Sequence, residues 1–128
     1  MIKAIETDKA PPAIGPYSQA TVANGFIFCS GQLGIDPETE GLESGIEAQT
    51  HQALKNLREV LKAADSNLDY VVKATIFITN MYYFPKINKI YEQYFPEHKP
   101  ARATVEVSNL PKGALIEIDA VAISASTI

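Results

Sequence analysis

Arg102 and Glu117 are the residues whose types and setting in this chain best suit the recognition of a small molecule. Arg102 lies in Pro100-Ala101-Arg102-Ala103-Thr104-Val105-Glu106-Val107 and Glu117 in Ala114-Leu115-Ile116-Glu117-Ile118-Asp119. Both segments alternate apolar and polar residues, the period of a strand buried on one face. Ala103, Val105 and Val107 read as a core row, which leaves Arg102, Thr104 and Glu106 on the other face. Ile116, Ile118, Ala120 and Ala122 likewise leave Glu117 and Asp119 opposite. The pattern predicts an arginine and a carboxylate on the sheet face that the core does not claim. A guanidinium is a rigid fork that pairs with a carboxylate through two parallel hydrogen bonds, so the arrangement suits a small acid. The competing reading is a structural ion pair of Arg102 with Glu117 or Glu106.

Few other classes of chemistry fit. The single cysteine, Cys29, excludes an internal disulfide and a cysteine-based metal cluster. It alternates with Ile27 and reads as a small core residue. His51 and His98 are the only histidines and have no second ligand at helical or turn spacing, so no metal is expected. Net charge is -4 and the 11 Lys and Arg are scattered, which makes nucleic acid an unfavoured partner. No apolar run approaches the roughly 20 residues of a membrane span. The segment Met1-Ile2-Lys3-Ala4-Ile5-Glu6 reads as neither a secretory nor a mitochondrial signal, so the expected location is cytoplasmic.

The elements that must position these residues follow from patterning. A chain of 128 residues predicts one domain, 1–128. Ile2 to Glu6 suggests a short strand, and Ala13-Ile14-Gly15-Pro16-Tyr17 a stiffened loop. Ser18 to Ala23 and Phe26 to Gly31 flank Asn24-Gly25, a two-residue hairpin turn. A loop over Gln32 to Glu43 leads to Ser44-Gly45-Ile46-Glu47, spaced as a capping box. The helix beyond carries Ile46, Thr50, Ala53, Leu54, Leu57, Leu61 and Ala64 on one stripe, with Gln52 among its water-facing residues, and Asp65-Ser66-Asn67 stops it. Tyr70 to Thr79 reads as an interior strand, and Phe84-Pro85 opens a second helix that ends before Pro96. Two helices cannot cover both faces of such a sheet. The expectation is an α+β fold, a mixed β-sheet with two helices packed on one face. The uncovered face, near Phe77, Leu115, Val121 and Ile123, would be hidden in a symmetric oligomer, with Arg102 in or beside a subunit seam.

The chain resembles the Rid (RidA/YjgF) family of reactive-intermediate deaminases, also known as endoribonuclease L-PSP. The resemblance runs over nearly the whole length. It rests on Ala13-Ile14-Gly15-Pro16-Tyr17-Ser18-Gln19, on Ser30-Gly31-Gln32-Leu33 with Ile35-Asp36-Pro37, and on Pro100-Ala101-Arg102 followed by Ile116-Glu117-Ile118. It implies a chorismate-mutase-like fold and a homotrimer with active sites between subunits. It implies hydrolysis of 2-iminobutanoate, 2-iminopropanoate and their enamine tautomers, such as 2-aminoacrylate, to 2-oxo acids and ammonia, without cofactor or metal. By the same resemblance Arg102 would grip the substrate carboxylate and Glu117 would hold and activate water. Tyr17, Ser30, Gly31, Phe84 and Asn88 would line the pocket. Thr104, on Arg102's face, stands where many relatives have cysteine. The chain is also shorter at Glu97-His98-Lys99.

Each of these residues has a plainer reading: a loop-packed ring for Tyr17, a backbone-satisfying hydroxyl for Ser30, a bulge for Gly31, a solvated helix residue for Asn88 and an ordinary strand residue for Thr104. Two other functions compete: an endoribonuclease that inhibits translation, and a non-catalytic regulator that binds 2-oxo acids.

Overall fold

The computed structural model describes residues 1–127. Its main elements are β1 (Lys3–Ile5), β2 (Ala20–Ala23), β3 (Phe26–Leu33), α1 (Ile46–Ala63), β4 (Val71–Ile78), α2 (Phe84–Tyr94), β5 (Ala101–Glu106) and β6 (Ile116–Ile123). The six strands form one mixed sheet in the order β1-β2-β3-β6-β4-β5, with β4 and β5 parallel and the other pairs antiparallel. Asn24 and Gly25 take φ of 54° and 82° between paired Ala23 and Phe26, the positive-φ pair that a type I′ turn requires.

Both helices lie on one face of the sheet, as the patterning predicts. Leu54, Leu57 and Leu61 of α1 and Ile87 of α2 join Ile27, Ile76, Ile78, Ile116 and Ile118 in a core from which water is excluded. Burying each such side chain contributes about 1.5–3 kcal/mol before conformational entropy is counted. The expected capping box does not form. Gly45 is itself the N-cap, at φ 86°, which shifts Glu47 to the second helical position. Glu47 instead pairs with Lys86 of α2 at 3.8 Å. Asp65, at φ 59°, turns the chain out of α1. Lys99 Nζ donates to the carbonyls of Phe95 and Pro96, both at 2.9 Å, and so satisfies the end of α2.

The facing of β5 reverses the expectation. Arg102 pairs with Ala74, Thr104 with Ile76 and Glu106 with Ile78, and those three β4 residues are buried beneath the helices. Paired residues on neighbouring strands share a face, so Arg102 and Thr104 are on the helix side. Ala103 and Val105 are on the open side, beside Thr75 and Phe77. In β6 the expected facing holds: Ile116, Ile118, Ala120 and Ala122 are buried, and Glu117 and Asp119 are on the open side. Arg102 and Glu117 therefore project from opposite faces of the sheet, with β4 between their strands. The open face is largely apolar, with Phe26 at 42%, Phe28 at 47% and Val105 at 40% exposure.

Candidate functional site

The predicted residues fall into two groups. The first gathers around Glu117 in a cavity of about 330 Å³ whose walls include Tyr17, Gly31, Leu33, Ile35 and Lys112. The ladder between β3 and β6 is interrupted between Cys29 and Gln32, a bulge that carries Ser30 and Gly31. At Gly31 the absent side chain has a clear use. A Cβ there would stand 2.7 Å from Cδ and 2.8 Å from Cγ of Glu117, so the carboxylate lies across this residue. Burial pushes the Glu117 acid above its ordinary value, and neighbouring Asp119 pushes it the same way. Asp119 is itself raised by burial, partly offset by Thr75 and Lys73.

Ser30 belongs to the support of this group. Its hydroxyl donates to the Ser18 carbonyl at 2.6 Å and its amide to the Gln19 carbonyl at 2.9 Å. The plainer reading of Ser30 is therefore realised. Its bonds tie the loop that carries Tyr17 to the bulge that carries Gly31. Gln19, buried, fixes the far side of that loop. Its Nε2 donates to the carbonyls of Thr7 at 3.0 Å and Pro11 at 2.8 Å, and its Oε1 accepts from the Thr7 amide at 2.7 Å. Tyr17 is left 54% exposed at the cavity edge.

The second group surrounds Arg102. Its guanidinium carbon lies 4.9 Å from the centre of the Tyr91 ring and 5.5 Å from that of Phe84, a cation held on two aromatic faces. A cavity of about 680 Å³ opens here, lined by Asn88, Tyr91, Glu92, Lys99 and Arg102 among others. Asn88 Oδ1, Thr104 Oγ1 and Tyr91 Oη are buried without a hydrogen-bond partner. Buried polar groups are nearly always satisfied, and Asn88 and Tyr91 both line this cavity, so these two mark a place suited to further contacts. Burial raises the Tyr91 phenol, and Arg102 pulls the other way. Among the described residues no carboxylate forms a salt bridge with Arg102. Glu106, one suggested partner, accepts from the Met81 amide at 2.7 Å, and Glu117 is on the other face. The structural ion pair is not made.

Sequence reasoning missed Tyr91, Gln19 and Lys112. Tyr91 sits one turn beyond Asn88 on α2, and that spacing was the available signal. Cys29 is buried with its thiol pushed up to about 12, so it stays protonated and inert. His51 is half-buried, with Nδ1 2.9 Å from Tyr94 Oη, away from both groups. Among the described residues no set of three or more His, Cys, Asp or Glu side chains gathers as a metal site. No described helix is long and apolar enough to cross a membrane.

Gly31→Ala tests the close approach. The added methyl displaces a flexible carboxylate rather than backbone, so activity should fall at least tenfold while the melting temperature shifts by only a few degrees, about what 1 kcal/mol produces. Kinetics paired with thermal unfolding will check this.

A mixed sheet with two helices on one face makes this a small α+β protein. The chain belongs to the endoribonuclease L-PSP family, whose profile matches residues 7–124. It is 49% identical over 122 residues to the human 2-iminobutanoate/2-iminopropanoate deaminase, covering 94% of this chain and 89% of that protein. Among solved structures, a Yersinia pestis protein of the conserved Rid family matches at TM-score 0.94 and 52% identity, covering 96% of this chain and 99% of the other. Escherichia coli TdcF with bound serine matches at TM-score 0.92 and 37% identity, covering 96% and 99%.

Proposed function

We propose that this protein is a cytoplasmic 2-imino acid deaminase whose active site forms between copies of the chain. The observation that carries the reading is an Arg102 guanidinium that forms no salt bridge with a carboxylate among the described residues. The names of the human and mouse relatives, at 49% and 47% identity, and the serine bound to TdcF support a small amino-acid-like acid as its ligand.

In this reading Arg102 pairs with the substrate carboxylate through two charge-assisted hydrogen bonds. Asn88 Oδ1 and Thr104 Oγ1 supply further polar contacts. Glu117 accepts a proton from a water as its oxygen attacks C2 of the iminium. Glu117 returns that proton to the carbinolamine nitrogen, the C–N bond breaks with loss of ammonia, and the hydroxyl proton passes to Glu117 as the carbonyl forms. An enamine substrate first gains a proton at C3. Burial and Asp119 make Glu117 a stronger base than an exposed carboxylate, which suits proton abstraction near neutral pH.

Because the two groups occupy opposite faces, one copy cannot close its own site. Bringing Arg102 of one copy to Glu117 of the next is a head-to-tail contact, which makes a ring where its rotation closes and a filament where it does not. The half-exposed Phe26, Phe28 and Val105 give that contact an apolar surface. A homotrimer is the ring we assign.

The test generates 2-iminobutanoate in situ with threonine dehydratase and follows 2-oxobutanoate release against a competing nucleophilic trap. The wild-type protein should accelerate release. Arg102→Lys keeps the charge but loses the fork, so KM should rise about 10–100-fold, the loss of one charge-assisted hydrogen bond. No acceleration, or an unchanged KM in the lysine variant, would refute the proposal.

A further inference from the structure

Beyond the cavity walls, α1 carries a row of carboxamides on its buried side that hydrophobic packing does not explain. Gln49 and Asn56 are 3% and 1% exposed, in line with the apolar stripe of Ala53 and Leu57. Gln52, expected to face water, is half-buried and donates to Asn56 Oδ1 at 2.8 Å. An apolar side chain would fill either buried position without the desolvation that an amide incurs.

The amide groups of Gln49 and Asn56 donate to the loop over 33–43, part of which walls the Glu117 cavity. Asn56 Nδ2 donates to the carbonyls of Leu33 at 3.1 Å and Ile35 at 2.8 Å, and both residues line the Glu117 cavity. Gln49 makes the joint. Its Nε2 donates to the Glu43 carbonyl at 3.0 Å, and its Oε1 accepts from the Leu115 amide at 2.8 Å. Leu115 enters β6 two residues before Glu117. Gly34 brings the opposite wall to the same place: a Cβ there would stand 2.5 Å from Cα and O of Gln49. The Gly34 carbonyl in turn accepts from the Glu43 amide at 2.9 Å.

We propose that Gln49 is a positioning residue for Glu117, joining the strand that bears the carboxylate to the loop that walls its cavity. Gln49 is not among the residues lining that cavity, so it acts only through Leu115 and Glu43. The inference rests on the reading of Glu117 as the base that activates water. A carboxylate displaced by about 1 Å loses on the order of 10²-fold in rate.

Gln49→Leu removes both bonds at similar volume. Its kcat for 2-iminobutanoate should fall about 10–100-fold. The Kd for 2-oxobutanoate should stay within about threefold, because the anchor Arg102 is on the other face of the sheet. Thr50→Val is the control. It removes a neighbouring buried bond on the same helix, 2.7 Å from Thr50 Oγ1 to the Ile46 carbonyl, and should lower the melting temperature with kcat unchanged. Gln49→Met stands in if the leucine variant does not fold. A kcat within twofold of wild type for Gln49→Leu or its substitute, or an equal kcat loss in Thr50→Val, overturns the proposal. If Glu117→Gln keeps full activity, the reading of Glu117 itself has failed, a result separable from any effect at Gln49.

Discussion

Glu117→Gln should lower kcat by about 10²–10⁴-fold, the range that a positioned general base contributes, while leaving 2-oxobutanoate affinity within a few fold. The amide keeps the size of the side chain over Gly31 but cannot accept the proton that water must release. The pH dependence of the wild type follows with a definite sign. Burial and Asp119 favour the neutral form of Glu117, so its acid lies above the ordinary carboxylate value of 4.5. Only the ionised form is a base, so kcat should fall as pH drops through that raised value. The acid limb will therefore lie above 4.5 and disappear from the glutamine variant. Stability moves the other way. A carboxyl whose folded pKa exceeds its unfolded one stabilises the fold below the unfolded value and loses that contribution as pH rises through the folded value. Glu117 and Asp119 both belong to this class. Thermal unfolding of the double variant Glu117→Gln, Asp119→Asn should lose this part of the pH dependence. A kcat acid limb that persists in Glu117→Gln would assign it to another group.

The sequence was legible wherever a local rule acts alone. Asn24-Gly25 sets its turn because few residue pairs accept two positive φ angles, and α1 follows from a stripe that can be buried in one way only. The family resemblance also named Tyr17, Gly31, Asn88, Arg102, Thr104 and Glu117, which the fold divides between opposite faces of the sheet. What the alternation in β5 could not tell is which of its two rows turns to the helices. Period two separates the rows without naming the inner one. The rule that the apolar row faces the core assumes that only one face is covered. Here Ala103 and Val105 join Phe77 on a second apolar face, and the polar row is the one beneath α2. Arg102 tolerates that side because Tyr91 and Phe84 offer it ring faces and the edge of the sheet leaves it open to water. The buried carboxamides were illegible for a related reason. Gln49 and Asn56 look like ordinary helix residues until the loops they bind are placed, and those loops carry no periodic signal of their own.

The reversal of β5 leads to the sharpest test of the assembly. Arg102→Ala leaves Glu117 intact, and Glu117→Gln leaves Arg102 intact. If both groups served a site within one chain, mixing the two inactive proteins could not restore activity. If each site joins opposite faces of successive copies, a mixed ring contains some sites with a native group from each partner. Such a site needs the Arg102 side from a Glu117→Gln subunit and the Glu117 side from an Arg102→Ala subunit. Random mixing in equal amounts gives about a quarter of all sites that composition. Co-refolding the variants should therefore raise activity from the level of either alone to about a quarter of wild type, in a particle of three 13.9 kDa chains, about 42 kDa by light scattering. The ring geometry also predicts that the double variant Arg102→Ala, Glu117→Gln, mixed equally with wild type, leaves about a quarter of all sites native, where a site within one chain would leave about half. Activity of the mixed single variants that stays at their separate levels, in particles shown to contain both, would return the site to a single chain. Since β4 separates Arg102 from Glu117 and the two project from opposite faces, that outcome would require β5 to turn over relative to β4.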